Sequence, residues 1–326
     1  MAVEWTDDPS AFVAGDWTAL VDADPEATFF HTPRFLKLYW EEFGADRLET
    51  ATVRLADVPA AVAAFDLRDG VLTWLGGFDV TDYTGPVGPP ERRAEAAGAL
   101  MTALASREDW AEANLAGLPG DGTWLPALAE AAGRAGLRAR VEEDGVAPFL
   151  ELPHSYQAYL DGLTGRLRHE IRRKDRRIRE AWPDLRLVDS DPDTLGKDLD
   201  RFVELHRASV GTKGRFMVPG MELFFRRLGE ELLPGGTFRL TFLETGGERV
   251  AGAIGIRFRD RFLLYNSAYD HERARLAPGM VLVAELIRSA IEEGRVTFDL
   301  LKGDLGYKYR FGARPRRVCR LVLGRA

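Results

Sequence analysis

The sequence predicts an α/β (α+β) fold built from two similar halves. Short runs of β-forming residues alternate with amphipathic helical patterns along the chain, as expected when helices flank a sheet. The same order of strand, loop, helix and strand occurs between residues 71 and 115 and again between residues 261 and 301. In the second half, β-rich runs joined by tight turns predict an antiparallel meander. These patterns favour a duplicated unit whose sheet is mixed and mainly antiparallel.

In the first half a capped helix comes before the strands. Thr32 is a suitable N-cap, Pro33 occupies the first helical position, and apolar residues from Phe35 onward share one face, which predicts a helix over 32–43. The elements predicted after it are strands at 50–55, 62–67, 71–75 and 110–115, and helices at 92–104 and 125–135. A turn-rich stretch at 142–153 then predicts the boundary between an N-terminal domain, residues 1–150, and a C-terminal domain, residues 151–326.

The second half begins with a basic helix and contains the meander. Helical patterns cover residues 166–179, 199–209 and 221–232, and β-rich runs cover residues 237–244, 249–259 and 261–269. Gly246, Gly247 and Asp260 mark the tight turns between these runs. An amphipathic helix over 279–292 follows and stops at Gly294, and residues 296–301 form an apolar strand.

The composition is that of a globular protein. Hydrophobic residues make up 45% and charged residues 29% of the 326 residues, which excludes a disordered chain. Apolar stretches such as residues 59–65 are too short to cross a bilayer, and residues 1–12 lack the basic region of a secretory signal. The single cysteine, Cys319, excludes an internal disulfide and a thiolate metal cage. We therefore expect a cytoplasmic protein without a transmembrane segment.

The charge is distributed unevenly along the chain. Residues 1–150 carry 11 Lys and Arg against 26 Asp and Glu, a net charge of −15, whereas the remaining residues carry +8. The basic half suggests an anionic partner such as a phosphorylated cofactor, a nucleic acid or a membrane surface. An uneven solvated surface explains the charge equally well.

Several common catalytic motifs are missing from the sequence. It contains no Gly-x-x-x-x-Gly-Lys-Ser/Thr phosphate loop, no Gly-x-Ser-x-Gly nucleophile elbow and no dinucleotide fingerprint. The five histidines are not spaced as metal ligands, so we expect no metal site. Two possibilities remain: a small-molecule co-substrate held on backbone groups, or binding alone.

The start of the helix at 279–292 is a candidate phosphate site. Gly279 lets a ligand approach the backbone closely, and the N–H groups of Gly279, Met280 and Val281 lie at the positive end of the helix. Arg273 and Arg275 in the preceding loop add positive charge for a phosphate. The alternative is an ordinary loop-to-helix start.

Two residues that follow this helix are candidate proton carriers. Asp299 lies in an otherwise apolar strand, where a carboxylate is costly unless it is paired or functional. As a base it would accept a proton from an attacking amine. Tyr307 would donate a proton to a leaving thiolate, although a tyrosine near a strand end more often serves packing.

Several segments carry a family resemblance. They are Phe29-Phe30-His31-Thr32-Pro33, the basic run 166–174, Pro278-Gly279, Phe298-Asp299-Leu300-Leu301-Lys302-Gly303 and Tyr307-Lys308-Tyr309-Arg310-Phe311. The sequence resembles the GNAT-like acyltransferases of the CelD/BcsL group, which are relatives of the Fem-type peptidoglycan aminoacyltransferases. The resemblance covers most of the chain and implies two GNAT-like domains in tandem, of which the second binds the acyl donor.

This resemblance implies an acyl-CoA-dependent N-acyltransferase, most simply an acetyltransferase, with acetyl-CoA or another acyl-CoA as co-substrate. The acceptor would be a small-molecule or cell-envelope amine, and the acidic first domain would shape its binding site. Asp299 and Tyr307 would be catalytic. The residues predicted to hold the donor are Tyr265, Arg273, Arg275, Gly279, Met280, Val281, Lys302 and Lys308.

Two alternatives to this function stay open. The first is a Fem-type transferase that takes its acyl group from aminoacyl-tRNA and acts on a cell-wall precursor. Its support is the helix at 166–179, which contains eight basic residues and only two acidic ones. This charge suits an RNA backbone, although the same residues could instead pair with the acidic first half of the chain. The second is a non-catalytic GNAT-like binding module, because Pro278 and Met280 replace the small residues of the usual pyrophosphate loop. DNA is not an expected partner, and the oligomeric state is open.

Overall fold

The computed structural model describes residues 1–13, 15–77, 80–209 and 213–325. The strands are β1 (Ala2–Thr6), β2 (Leu48–Leu55), β3 (Val58–Arg68), β4 (Val71–Trp74), β5 (Glu112–Pro119), β6 (Leu137–Glu151), β7 (Arg186–Asp189), β8 (Phe238–Thr245), β9 (Glu248–Phe258), β10 (Arg261–Tyr269), β11 (Thr297–Asp299) and β12 (Arg314–Arg325). The α-helices are α1 (Gly15–Ala23), α2 (Pro33–Phe43), α3 (Arg93–Ala105), α4 (Trp124–Arg134), α5 (Tyr156–Gly162), α6 (Gly165–Ala181), α7 (Leu195–Arg207), α8 (Lys213–Phe216), α9 (Pro219–Leu232), α10 (Pro278–Glu292) and α11 (Gly306–Tyr309). Short 3-10 turns lie at Pro9–Val13, Phe29–His31, Pro90–Arg92 and His271–Leu276.

The chain divides into two compact units. Unit 1 comprises Met1–Ala147 and Arg316–Ala326, and unit 2 comprises Pro148–Pro315. The boundary predicted after Leu150 falls near the end of β6, which is where unit 2 begins. Residues 316–326, which the prediction placed in the C-terminal domain, group with unit 1 because β12 pairs with β5 from Val318 to Gly324.

In unit 1 the strands follow the order β1-β2-β3-β4-β5-β12-β6. The first four form an antiparallel meander, β5 runs parallel to β4, and β12 runs antiparallel to β5. Helices α3 and α4 bury Leu100, Leu104 and Leu128 in a core that includes Leu115 of β5 and Leu321 of β12. This core is apolar throughout, which is the main source of stability for the unit.

Unit 2 repeats this order of elements. Its strands follow the order β6-β11-β10-β9-β8-β7, with an antiparallel meander from β7 to β10 and a parallel β11 reached through α10. Leu282, Leu286 and Ile287 of α10 are fully buried in a core with Phe262 and Phe298. Among the described helices, none has both the length and the apolar character that crossing a membrane requires.

Most predicted elements are confirmed, with ends displaced by a few residues. Thr32 caps α2 by accepting a hydrogen bond from the Phe35 N–H at 3.4 Å, and β10 occupies the predicted residues. The turn-rich stretch predicted at 142–153 is wrong, because residues up to Glu151 continue β6. Much of β6 is exposed on both faces, so the sequence shows no alternation there. The strand predicted at 296–301 is shorter, because Leu301 has a positive φ of 58° and ends the extended backbone.

Candidate functional site

Strands β10 and β11 diverge in the middle of unit 2. Their parallel pairing joins Arg261–Leu263 to Thr297–Asp299, and β11 ends there. β10 continues to Tyr269, paired with β9 on its other side. The segment of β10 beyond Leu263 therefore extends past the end of its parallel neighbour. Such an edge suits an extended ligand that hydrogen-bonds to main-chain groups.

A β-bulge lies within this segment. Leu264 is opposite Gly255 and Asn266 is opposite Ile254, so Tyr265 is an extra residue in β10. A bulge turns the neighbouring peptide groups out of the regular ladder and re-aims the side chains around it. The ring of Tyr265 packs edge-on against Phe225 of α9, with ring centroids 5.2 Å apart. The bulge, Tyr265 and the divergent edge of β10 thus form one local feature.

Tyr307 reaches the same strand from α11. Its phenol hydrogen-bonds the side chain of Ser267, two residues after the bulge, and its ring packs against the core of unit 2. Burial raises the pKa of the Tyr307 phenol, and the hydrogen bond from Ser267 partly offsets that rise because it stabilises the phenolate. Tyr307 is therefore a neutral phenol at physiological pH, as a general acid has to be.

Asp299 lies at the end of β11 and is buried. Only 4% of the residue is exposed, and its Oδ1 accepts a hydrogen bond from the Leu301 N–H at 2.8 Å. The buried Lys308 donates from Nζ to the carbonyl oxygens of Leu301 at 2.7 Å and Lys302 at 3.0 Å. Asp299 and Lys308 thus hold the turn after β11 from two directions. The ammonium of Lys308, predicted to hold the donor, is engaged with these carbonyls.

The start of α10 provides fewer N–H groups than the sequence suggested. The N–H groups of Met280 and Val281 both donate to the Ala277 carbonyl, at 3.0 and 3.2 Å, and Val281 is buried. This leaves Gly279 as the predicted backbone donor at the helix end. A Cβ on Gly279 would lie 2.8 Å from Cδ1 of Tyr269, so only glycine fits against this ring.

The two loop arginines differ in their surroundings. Arg273 forms ion pairs with Glu248 and, at 3.0 Å, with Asp270, and its guanidinium lies 5.6 Å from the ring centroid of Trp182. Its charge is therefore largely compensated. Arg275 is exposed in the same 3-10 turn, and Lys302 is half-buried in the turn after β11. Arg275 is thus the better placed of the two arginines to meet a phosphate.

Helix α6 presents an exposed cationic face. Its buried side consists of Ile171 and Ile178. Some of its basic residues are paired on the helix itself, as Lys174 is with Glu170 at 2.9 Å, and Arg179 also pairs with Glu285 of α10 at 2.8 Å. The exposed basic residues on the opposite side are Arg166, Arg172, Arg173, Arg176 and Arg177.

In unit 1, the segment before α3 is held by buried side chains. Before α3, the Gly88 N–H donates to Oδ2 of Asp24 at 3.0 Å, and Arg93 pairs with the same carboxylate. Asp24 is 1% exposed and also accepts from Nε1 of Trp124 at 3.1 Å. These buried hydrogen bonds and the ion pair tie the segment before α3 to groups of unit 1 itself.

Sequence reasoning missed three polar residues of this site. His206 on α7 is 1% exposed, and its Nε2 lies 3.2 Å from Oδ1 of Asn266. That oxygen also accepts the N–H of Ser267 at 2.9 Å. A signal for His206 existed, because it continues the buried stripe of α7 that contains Leu199 and Phe202. A signal for Asn266 and Ser267 also existed, because these two polar residues interrupt an apolar strand.

Comparison with known proteins identifies the class of fold. Residues 165–309 match the family model described as an acetyltransferase (GNAT) domain. No curated protein matches the sequence. Among solved structures, FemX has a TM-score of 0.67 at 12% identity, with 98% of this chain and 97% of FemX covered. A conserved protein of unknown function from Bacteroides thetaiotaomicron has the same TM-score of 0.67 at 14% identity, with 99% and 100% covered. An acetyltransferase of the GNAT family from Colwellia psychrerythraea has a TM-score of 0.54 at 11% identity, with 99% of each chain covered.

These likenesses establish the fold. The chain consists of two GNAT-like units in tandem, each with a mixed, mainly antiparallel sheet flanked by helices, as the sequence predicted. The region that matches the acetyltransferase domain, residues 165–309, lies in unit 2 and contains the bulge, Asp299 and Tyr307. The affiliation with the CelD/BcsL group stays a prediction.

Proposed function

We propose that the chain is an acyl-CoA-dependent N-acyltransferase, with acetyl-CoA as the simplest donor and an amine as acceptor. The observation that carries this proposal is the divergence of β10 from β11, with Tyr307 bound to Ser267 on the divergent segment. An acyl-CoA is an extended ligand with amide groups along its pantetheine arm. It therefore matches an open strand edge that leads to a helix with a glycine in its first turn.

The proposed reaction is a direct transfer. The amine nitrogen attacks the thioester carbonyl carbon, a C–N bond forms, and the C–S bond breaks. Backbone N–H groups of the divergent part of β10 stabilise the oxyanion. The leaving thiolate takes the phenolic proton of Tyr307, and the proton lost by the amine passes to Asp299, directly or through water. The hydrogen bond with Ser267 lowers the pKa of the Tyr307 phenol, so it would stabilise the phenolate that remains after the transfer.

The donor would lie in unit 2 between the strand edge and the start of α10. We propose that Gly279 and the exposed Arg275 contact its pyrophosphate, while Tyr265 lies beside the acyl group at the bulge. Met280, Val281, Arg273 and Lys308 are engaged in packing, ion pairs or carbonyl contacts. They would support this site rather than touch the donor.

The acceptor would be recognised by unit 1. Its acidic residues give residues 1–150 a net charge of −15, which attracts a cationic amine. The likeness to FemX and the Fem-type resemblance favour a cell-envelope amine over a soluble metabolite. Competition between amine-bearing envelope precursors and small diamines as acceptors tests this choice.

The decisive experiment is calorimetric titration of the full chain with acetyl-CoA, followed by detection of released thiol with a panel of amines. We expect saturable binding, and stabilisation by about 2.7 kcal/mol when acetyl-CoA is at a hundred times its dissociation constant. Desulfo-CoA serves as a control ligand that keeps the phosphates. Absence of binding by every acyl-CoA at millimolar concentration would refute the proposal.

The second candidate is a Fem-type transfer from aminoacyl-tRNA. The observation that favours it is the exposed arginine face of α6, which can neutralise several phosphates at once. A filter-binding assay with charged tRNA distinguishes it from the first candidate. A non-catalytic binding module is the third candidate, and binding of acetyl-CoA without thiol release for any amine would support it.

A further inference from the structure

The bulge of β10 is held by a chain of hydrogen bonds that begins on α7. His206 contacts Asn266, the residue that follows the extra residue of the bulge, with 3.2 Å between Nε2 and Oδ1. Oδ1 of Asn266 also accepts the backbone N–H of Ser267 at 2.9 Å, and the Ser267 side chain binds the phenol of Tyr307. The chain therefore connects a buried helix residue to the bulge and to the proposed acid.

The direction of these bonds defines the state of His206. The backbone N–H of Ser267 requires an acceptor, so the oxygen of the Asn266 amide faces it. The same oxygen faces His206, so Nε2 of the imidazole carries a proton and donates to it. The ring lies between Phe202 and Phe216, with ring centroids 6.0 and 5.7 Å away, and has little freedom to turn.

We propose that His206 is a positioning residue for the acyl-transfer site. Through Asn266 it fixes the peptide groups of the bulge, so that they bind the thioester carbonyl in a single geometry. This inference rests on the proposed function and adds to it a residue that touches neither donor nor acceptor. The physical reason is pre-organisation: donors aimed in advance at a developing oxyanion need no rearrangement during the reaction.

The role predicts a specific effect on ligand discrimination. Acetyl-CoA has the carbonyl that the bulge would bind, whereas free CoA has the same phosphates and pantetheine without it. In wild type we expect acetyl-CoA to bind more tightly than CoA. His206→Leu removes the donor to Asn266 and should reduce the ratio of the two affinities roughly fivefold, as expected for one lost hydrogen bond. The affinity for CoA itself should stay within about twofold, because the substituted residue shares no contact with the phosphates or the pantetheine arm in the proposed site.

Two further variants separate positioning from stability. His206→Gln keeps an N–H near the position of Nε2 and should restore the ratio. Leu199→Ala removes a buried side chain from the same face of α7 and should lower the melting temperature without changing the ratio. The turnover number, measured by thiol release, should follow the affinity ratio and not the melting temperature.

The possible outcomes distinguish the positioning role from the proposed function. If wild type binds neither acetyl-CoA nor CoA, both the function and the role of His206 are overturned. If wild type binds both and His206→Leu leaves the ratio unchanged, only the positioning role is overturned. An equal loss of discrimination in Leu199→Ala would also overturn it, because the effect would then belong to general loosening of α7. If His206→Leu does not fold, Asn266→Ala replaces it, with the same expected change in ratio.

Discussion

Burial of Tyr307 favours the protonated form of its phenol. Removing the phenol from water raises its pKa, because the phenolate loses solvation, and Ser267 moderates this rise. A group with these properties is protonated at physiological pH. In the proposed reaction it would therefore act as an acid, at the breakdown of the tetrahedral intermediate.

Tyr307→Phe tests the proton donor. Phenylalanine keeps the ring in the core and removes only the hydroxyl, so we expect acetyl-CoA affinity to stay the same and turnover to fall by about 10²-fold. The thiol-release assay measures the turnover, and calorimetry measures the affinity. Ser267→Ala should have a smaller effect in the same direction. A Tyr307→Phe variant with normal turnover would remove the residue from the mechanism.

The same residue predicts the alkaline limit of activity. An acid acts while it is protonated, and the pKa of Tyr307 lies above its ordinary value of 10.0. The activity that depends on Tyr307 should therefore persist through pH 10 and decline only at higher pH. A pH profile of turnover checks this, using the melting temperature at each pH to exclude unfolding. A decline near pH 8 would assign the acid to another group.

Asp299→Asn tests the base. Asparagine retains an oxygen for the Leu301 N–H, so the turn after β11 should survive while proton acceptance is lost. We expect turnover to fall by about 10²-fold or more, with acetyl-CoA affinity unchanged. Circular dichroism and thermal melting serve as the control for folding. If the variant instead unfolds and its residual activity parallels the folded fraction, Asp299 is a structural partner of the turn.

At the scale of elements, the start of α9 provides a control for the start of α10. Both α9 and α10 begin with Pro-Gly-Met, at Pro219 and Pro278 respectively. The two helix starts share these three residues, yet of the two only the second lies against a tyrosine ring of the candidate site. A Cβ on Gly220 meets nothing within 4 Å, whereas one on Gly279 meets Tyr269 at 2.8 Å.

Gly279→Ala and Gly220→Ala form a matched pair. The first should displace the ring of Tyr269, lower stability by about 1–2 kcal/mol and weaken acetyl-CoA binding. The second should be neutral or stabilising by about 0.5 kcal/mol and leave binding unchanged. Denaturant melts and calorimetry measure the two effects. Equal effects of both substitutions on acetyl-CoA binding would separate the start of α10 from the donor site.

Helix α6 distinguishes the two enzyme candidates. Changing Arg172, Arg173, Arg176 and Arg177 to Gln should leave acetyl-CoA binding intact, because the proposed donor site lies at β10 and α10. For a tRNA donor the same variant should lose binding, and wild-type affinity should fall steeply with salt, with a slope of several units. We expect the first result.

The control for α6 removes the same charge elsewhere. Lys37, Arg68, Arg134 and Arg140 are exposed cations of unit 1, and their joint replacement by Gln changes net charge equally. Loss of transfer in the α6 variant but not in this control, with folding intact, would favour the aminoacyl-tRNA reaction.

Local signals explain which elements were predictable. Thr32 and Pro33 define the start of α2, and the length of β10 follows from its β-forming residues and flanking turns. The bulge at Tyr265 was not predictable, because it depends on register with β9 and not on any residue of β10 alone. His206 and Asn266 are sixty residues apart in sequence and meet only when α7 packs on the sheet. The burial of Lys308 was likewise not predictable from the sequence. A lysine is expected at the surface because of its charge, and only the tertiary structure shows that this one is buried.

At the scale of the whole molecule, the two units have separate cores, and the proposed function gives them unequal tasks. The core of unit 1 includes residues of β12, from the far end of the chain, whereas the core of unit 2 is drawn from residues 150–313. From the sequence, this segment was placed in the C-terminal domain, because strand pairing over such a distance leaves no local mark in the sequence.

This proposed division of tasks predicts which segments acetyl-CoA protects from hydrogen exchange. Hydrogen exchange of the full chain with saturating acetyl-CoA should slow in peptides covering β10 and the start of α10, while peptides covering β2 to β4 should exchange as before. Leu321→Ala, which opens a cavity in the core of unit 1, should speed exchange in β5 and cost about 2–5 kcal/mol. Its acetyl-CoA affinity should equal that of wild type, because the proposed donor contacts all lie in unit 2. Protection of β2 to β4 by acetyl-CoA, or weaker binding in Leu321→Ala at a temperature where it is fully folded, would show that unit 1 takes part in holding the donor.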